Sequence, residues 1–507
     1  MGAGTGKQRA GLLLVCLLLL LSPFRAWAAE EEPTAEDLTS RCTLTLTGSV
    51  KGLEAMLKDG QTRSSIRMTA KDELLFQSDR DMATLLLRIS QMNAAFSLLE
   101  KDKDGLVLAE ETMHTDAAAL SVPLAKGCRW VQLQPLEDTL YLCEAAVFGP
   151  GPLPDKVPHP DAPLQKADFL LVATHPDDEW VFLGGVYPIY GGERGYAGTV
   201  VYVTMPYWER GQECINGLWI GGVRTHPFFL GFPDIQTATT KRQRDRFKQE
   251  DVALALVRLY RRIRPLVVVT QDPKNGEYGH WQHKISARAA LEAVHLAADP
   301  AYDPESAAQY GVWTVQKLYQ HLVRSVSRLE LDVDAPLASY GGQTAVEVAR
   351  AAYSAHKSQK RTPFRPGSSN LSNGDIRRFG LVWSAVGPDT ANDLFDHIPE
   401  EDLAINWKPT PAPTMTPTPN PTGTPSPEPT ATPALTMSPT PEPTPEPTAT
   451  AEPAAAPSAW DRAEERALWA ADHAPQLSAG IVLLVAALAA LRQYRRTRHR
   501  QRQQEKE

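Results

Sequence analysis

The chain has 507 residues, a net charge of −8 and 42% hydrophobic residues. That length suffices for two or three domains, and the acidic balance removes any electrostatic case for nucleic acid as a partner. Function is therefore sought in local clusters of chemistry.

The chain opens MGAGTGKQRAGLLLVCLLLLLSPFRAWAAEEEP. Lys7 and Arg9 precede an apolar run that ends near the small residues Ala26 and Ala28, the pattern of a secretory signal peptide over residues 1–28. Export would place the later cysteines, Cys42, Cys128, Cys143 and Cys214, in an oxidising environment. One disulfide and one free thiol are then expected among the first three. None shows the close paired spacing of a structural zinc site.

Residues 40–152 carry short runs such as CTLTLTGSV, ELLFQS, MATLLLRI, RWVQLQPL and LYLCEAAVFG between polar or Gly-containing breaks. Many short strands at this spacing predict an all-β sandwich. The stretches LKDGQTRSSIRM and LYLCEAAVFGPGPLP resemble the discoidin or galactose-binding type of jelly roll, which implies a sugar-binding or spacer role; a packing domain without ligand is the alternative.

From residue 165 the pattern changes, and residues 165–405 read as a Rossmann-like α/β layered domain with a mostly parallel sheet. ADFLLVA, GTVVYVTM and PLVVVTQD are apolar enough for strands covered on both faces. KRQRDRFKQEDVALALVRLYRRI, residues 241–263, predicts one long amphipathic helix, and HKISARAALEAVHLA a second. In open sheets of this kind the ligand crevice lies at the carboxyl ends of the strands. Two polar clusters fall there, ATHPDDEW at 173–180 and QDPKNGEYGHWQH at 271–283.

In the first cluster, Pro176 breaks the strand, and Asp177, Asp178 and Glu179 enter the first turn of a helix. Capping alone accounts for acidic residues there, but it does not account for His175 at the mouth of the sheet. In the second, His280 and His283 are three residues apart at a helix start, so both can face one crevice. His175, Asp178 and His283 together supply two imidazoles and one carboxylate, a catalytic zinc set that leaves a position open for water. A single Zn2+ ion there predicts hydrolysis, with Asp177 as the unligated carboxylate that takes the proton from water.

The pair ATHPDDE and YGHWQH resembles the PIG-L or LmbE-like family of zinc-dependent N-deacetylases, and the likeness extends over roughly residues 165–360. RIRPLVVVTQD before the second motif and YSAHKSQ at 353–359 are similar to further family segments. The resemblance implies removal of acetyl from N-acetylglucosamine-type amides, with His175, Asp178 and His283 on zinc and Asp177 as base and then acid. It also implies a protonated His280 stabilising the oxyanion, Tyr278 polarising the amide carbonyl, and Glu179 shaping the turn. The family's substrate-side Arg, followed by Glu in a helix before a Leu-Gly pair, has no clear counterpart in YWERGQECINGLWIGGVRTHPFFLGFPDIQ. Arg224 and Asp234 are candidate sugar contacts there, with Trp219 and Phe228 as aromatic platforms. His226, His295, His321 and His356 are left outside the metal site.

Residues 408–457 are dominated by Pro, Thr, Ala, Ser and Glu, a composition that cannot bury a core and reads as a disordered stalk. At about 3.1 Å per residue in polyproline II form, it would span on the order of 150 Å. LSAGIVLLVAALAAL at 477–491, followed by the Arg-rich tail 492–507, predicts a single membrane span with the tail inside. The chain is therefore expected at the cell membrane with its catalytic part outside. It would act on an N-acetylated sugar or glycan; the alternatives are a carbohydrate-binding surface protein with an inactive hydrolase domain, or a deacylase for another amide or ester.

Overall fold

The computed structural model describes residues 33–406, apart from 51–53, 62, 91–94, 115–116, 137–138, 206–207, 323–327, 360–361 and 370–373. These residues belong to one compact unit, Met1–Pro413. The signal peptide, stalk, span and tail expected from the sequence lie outside the described residues. Among the described residues, no helix is long and apolar enough to cross a membrane.

The N-terminal strands are β1 (Thr43–Thr47), β2 (Ile66–Met68), β3 (Glu73–Ile89), β4 (Ala95–Lys101), β5 (Val107–His114), β6 (Ala119–Pro135) and β7 (Leu140–Phe148). They pair antiparallel in one sheet of order β2-β7-β3-β6-β4-β5, with β1 also on β3. The sheet folds on itself because β3 and β6 are long and lose register between Gln77 and Thr84. β3 and β6 pair with each other on both sides of that break; the outer half of β3 also pairs with β1 and that of β6 with β4, while the inner half of β3 pairs with β7. Both layers enclose one apolar core, to which Phe76, Phe96 and Val131 contribute from one side and Leu85, Val122 and Leu142 from the other. All four described cysteines are free and buried, so the expected disulfide is not formed. Burial pushes the Cys128 and Cys143 thiols up to about 12, and they behave as small apolar side chains.

The second sheet contains β8 (Phe169–Ala173), β9 (Gly198–Met205), β10 (Phe228–Pro233), β11 (Val267–Thr270), β12 (Lys317–His321), β13 (Arg328–Glu330) and β14 (Arg378–Ser384). Its order is β10-β9-β8-β11-β12-β14-β13. The first five are parallel, and β14 runs antiparallel to both β12 and β13. Every residue of β8 and β11 is buried, which explains their continuous apolar sequences.

Alternate side chains of these strands enter two cores. Leu170, Val172 and Val268 pack with helices α3 (Gln249–Ile263) and α4 (Trp281–Ala297). Phe169, Leu171 and Val269 pack with α1 (Asp178–Val181), α2 (Trp208–Ile220) and α5 (Ala345–Tyr353). The long helix expected over 241–263 is broken: a short helix, Lys241–Arg244, starts on a Thr240 capping box, and a separate α3 follows. Between them Phe247 turns inward and is buried; placing that ring in the core outweighs helix continuity.

Candidate active site

Strand order reverses at β8. From it the chain moves outward through β9 and β10, then returns to the other side through β11 and β12. The crevice at the carboxyl ends of β8 and β11 therefore lies at a topological switch point. His175 and Asp178 follow β8, His283 follows β11 on α4, and Asp234 follows β10.

Three atoms converge there. His175 Nδ1 lies 3.1 Å from His283 Nε2, and Asp178 Oδ2 lies 3.3 Å from each. Donors bound to one tetrahedral zinc at about 2.0–2.1 Å would be separated by roughly 3.3 Å, so the triangle fits the ion expected from the sequence. The nitrogens of His175, His280 and His283 also lie within 4.8 Å of one another. Asp178 Oδ2, at 3.3 Å from both nitrogens, fits the third corner of such a triangle more tightly than His280 does.

The surrounding hydrogen bonds leave the correct lone pairs free. His283 Nδ1–H donates to Glu277 Oε2 at 2.7 Å, which turns Nε2 toward the triangle as an acceptor. Glu277 Oε1 accepts from the Asp272 N–H at 2.8 Å and faces His321 Nδ1 at 3.2 Å. His175 Nε2 faces Gln282 Oε1 and Asp234 Oδ1 at 3.4 and 3.5 Å, which leaves its Nδ1 to the triangle. The electrostatics agree. Burial alone would depress the His283 imidazole, but Asp178 and Glu277 outweigh it and push its pKa up to about 10. Burial would raise the Asp178 carboxyl, yet His283 and His175 hold it well below its ordinary range. A positive charge is favoured at this point of the crevice.

Asp177 stands beside the triangle with φ 127°, ψ −27°, a strained backbone for any residue but glycine. Its N–H donates to Glu179 Oε2 at 2.8 Å, so Glu179 holds the turn, as the sequence suggested. Burial raises the Asp177 carboxyl to about 6, opposed by Arg210 and assisted by Asp178. A carboxylate poised there can accept a proton near neutral pH.

Arg210, which sequence reasoning missed, spans the site from α2. Its Nη2 donates to Asp177 Oδ1 at 2.9 Å and to Pro176 O at 2.8 Å, while Nη1 donates to Asp234 Oδ2 at 2.8 Å. The Arg-then-Glu feature sought near Leu230-Gly231 thus lies earlier, at Arg210 and Glu213. Its signal was the ERGQE segment of a helix that ends before Pro227. Asp234 is in the site. Arg224 is not: it is exposed, donates to Trp219 O at 2.6 Å and lies over the Trp219 ring. Trp219 donates to Asp155 O; neither it nor Phe228 borders the cavity.

That cavity, of about 260 Å³, is lined by His175, Asp177, Asp178, Arg210, Asp234 and His280, with Tyr278, Phe364 and Gln359 at its mouth. Tyr278 is 49% exposed and packs its ring on Phe364 at 4.6 Å. Burial pushes its hydroxyl pKa up, so the phenol stays protonated and can donate. Burial, reinforced by His175 and His283, depresses the His280 imidazole to about 3, which favours its neutral form over the protonated one the resemblance implies. Among the described residues its Nδ1 is buried without a hydrogen-bond partner.

The fold and this arrangement gather imidazole and carboxylate donors at metal-ligand spacing at the carboxyl ends of the strands of an α/β sheet. Residues 170–294 match the family described as PIG-L: GlcNAc-PI de-N-acetylase, so that segment is a PIG-L domain. A curated relative, 1D-myo-inositol 2-acetamido-2-deoxy-alpha-D-glucopyranoside deacetylase 1 of Catenulispora acidiphila, is 32% identical over 33% of this chain and 58% of its own length. The chain spans less than two thirds of the length of such curated relatives. Among solved structures, N,N'-diacetylchitobiose deacetylase from Pyrococcus horikoshii aligns at 19% identity over 39% of this chain and 72% of that one, with TM-score 0.29. The family 32 CBM from C. perfringens NanJ aligns at 13% identity over 23% of this chain and 99% of that one, with TM-score 0.20.

Proposed function

We propose that this chain is a zinc-dependent hydrolase that removes acetyl groups from N-acetylated amino sugars of the N-acetylglucosamine type. The observation that carries the reading is the triangle of His175 Nδ1, Asp178 Oδ2 and His283 Nε2, with the Asp177 carboxylate beside it. Its parallel run of five strands, with the site at the switch point, also supports the Rossmann-like reading of the sheet.

A zinc ion held by His175, Asp178 and His283 would acidify a water and polarise the amide carbonyl. Asp177 removes a proton from the attacking water at Oδ and later returns it to the leaving amine. Arg210 fixes that carboxylate by hydrogen bonding, and its charge keeps part of the Asp177 population ionised. Neutral His280 and protonated Tyr278 offer N–H and O–H donors to the carbonyl oxygen as negative charge develops on it. Asp234, tied to Arg210 at the cavity wall, is placed to accept from a sugar hydroxyl.

Purified protein should release acetate from an N-acetylhexosamine, lose activity to a chelator and regain it with zinc. Absence of release across a glycan panel would overturn the reading. A faster reaction with O-acetyl than N-acetyl sugars would redirect it to an esterase.

The cell surface is proposed as the location on sequence grounds, from the signal at 1–28, the stalk at 408–457 and the span at 477–491. External protease acting on intact cells should shed an active fragment; recovery of the full chain from the soluble cell fraction would count against it.

A further inference from the structure

Helix α2 carries Arg210 but has weak reasons of its own to be where it is. It has 13 residues, a length that is marginal for an isolated helix in water. Gly211 and Gly217 lower its intrinsic stability by about 1 kcal/mol each relative to alanine. Packing must supply the rest, and it comes from two opposite faces.

On one face Arg210 reaches Asp177 and Asp234, Glu213 accepts from the Ser358 N–H and hydroxyl at 2.8 and 2.6 Å, and Gly217 lets the helix approach Ala352 O and His356. The other face meets the N-terminal sheet. The Gln212 side chain, 1% exposed, donates from Nε2 to Ile89 O at 3.0 Å and Ala118 O at 2.8 Å. Ile215 packs on Ala118 and Ala119, and Arg63 pairs with Glu209. The Ala118 N–H donates to His226 Nε2 at 2.9 Å, while His226 Nδ1–H donates to Pro227 O at 2.8 Å.

We infer that the N-terminal sheet is a working part of the active site: through Gln212 it sets the position of α2 and so places Arg210 against Asp177 and Asp234. Gln212 is then a positioning residue, since it touches neither the cavity nor the metal ligands. The inference rests on the deacetylase reading for its catalytic consequence, but its structural content is independent of that reading. A buried amide joined to two backbone carbonyls is a directional fastening; losing it removes the helix's link to Ile89 O and leaves Ala118 O with the Ile89 N–H at 2.9 Å. The guanidinium fork at the far side tolerates little displacement, because a shift of about 1 Å in a positioned group can cost 10²-fold in rate.

The test uses the full, zinc-loaded protein with Gln212→Met, Arg210→Gln and the two combined. Gln212→Met should slow acetate release about 10-fold with zinc content unchanged, and should add almost nothing in the Arg210→Gln background, since residues acting through one another are non-additive. Amide hydrogen exchange in 208–220 should rise while β8 and β11 stay protected. An additive loss in the combined variant, or an unchanged rate in folded Gln212→Met, would overturn the inference. If Gln212→Met does not fold, Gln212→Asn keeps the amide one methylene short of both carbonyls and must give the same pattern. If the wild-type protein deacetylates nothing, the deacetylase reading falls by itself. Exchange in 208–220 then decides the fastening, and unaltered exchange in Gln212→Met sinks it.

Discussion

The two sheets bury polar groups for different purposes. In the N-terminal sheet the enclosed polar side chains include Asp72, Ser78 and Glu100, and each serves nearby backbone: Asp72 accepts from the Thr69 N–H, Ser78 from the Arg80 N–H and Glu100 from the Ala125 N–H. In the α/β sheet His175, Asp178, Glu179, Asp272, His283 and His321 are buried near the carboxyl ends of the strands, and several address one another instead. Polar burial that closes a turn is architecture; polar burial that faces other ionisable groups marks chemistry.

The contrast can be broken in graded steps. Asp177→Asn should lower kcat by about 10²–10⁴-fold, with bound zinc and melting temperature unchanged; a rate near wild type would remove the base from the crevice. Phe76→Ala, in the core of the N-terminal sheet, should cost about 3–5 kcal/mol of stability, measured by urea unfolding, while the folded fraction keeps its zinc. Glu277→Gln should weaken zinc binding about 10–100-fold in a competition titration, because Nδ1 of His283 loses its carboxylate.

The smallest effect is on pH. Asp177 must be ionised to accept a proton, and burial has raised it to about 6, so activity should climb as pH rises through about 6. Arg210 lowers that pKa, so Arg210→Gln should move the acidic limb upward by about one unit. A limb that stays put, or moves down, would mean another group controls it.

What was legible in the sequence was what is local. ATHPDDEW and YGHWQH each pack their chemistry into a few residues after a buried strand, and strand alternation brings the two strands side by side. Glu277 lay immediately before the second stretch, six residues before His283, but only its backbone at φ 62° turns it onto Nδ1, and spacing alone does not report that. Arg210 was hidden because its partners are 24 and 33 residues away in the chain. Arg224 drew attention through its nearness to Leu230-Gly231, whereas its guanidinium prefers the Trp219 face. The expected disulfide is absent: Cys42, Cys128 and Cys143 stay buried as free thiols, with Cys42 and Cys128 in the apolar core of the folded sheet.

The positive φ angles of Asp177 and Glu277 set backbone strain against side-chain placement. Each holds a side chain with a task in a conformation that costs on the order of 1–3 kcal/mol, and glycine would relax either one. Glycine at either position would trade that strain for lost hydrogen bonds, to the Asp272 N–H, His283 and His321 at 277 and to Arg210 at 177, so the strained angles persist because the side chains they aim are themselves fastened.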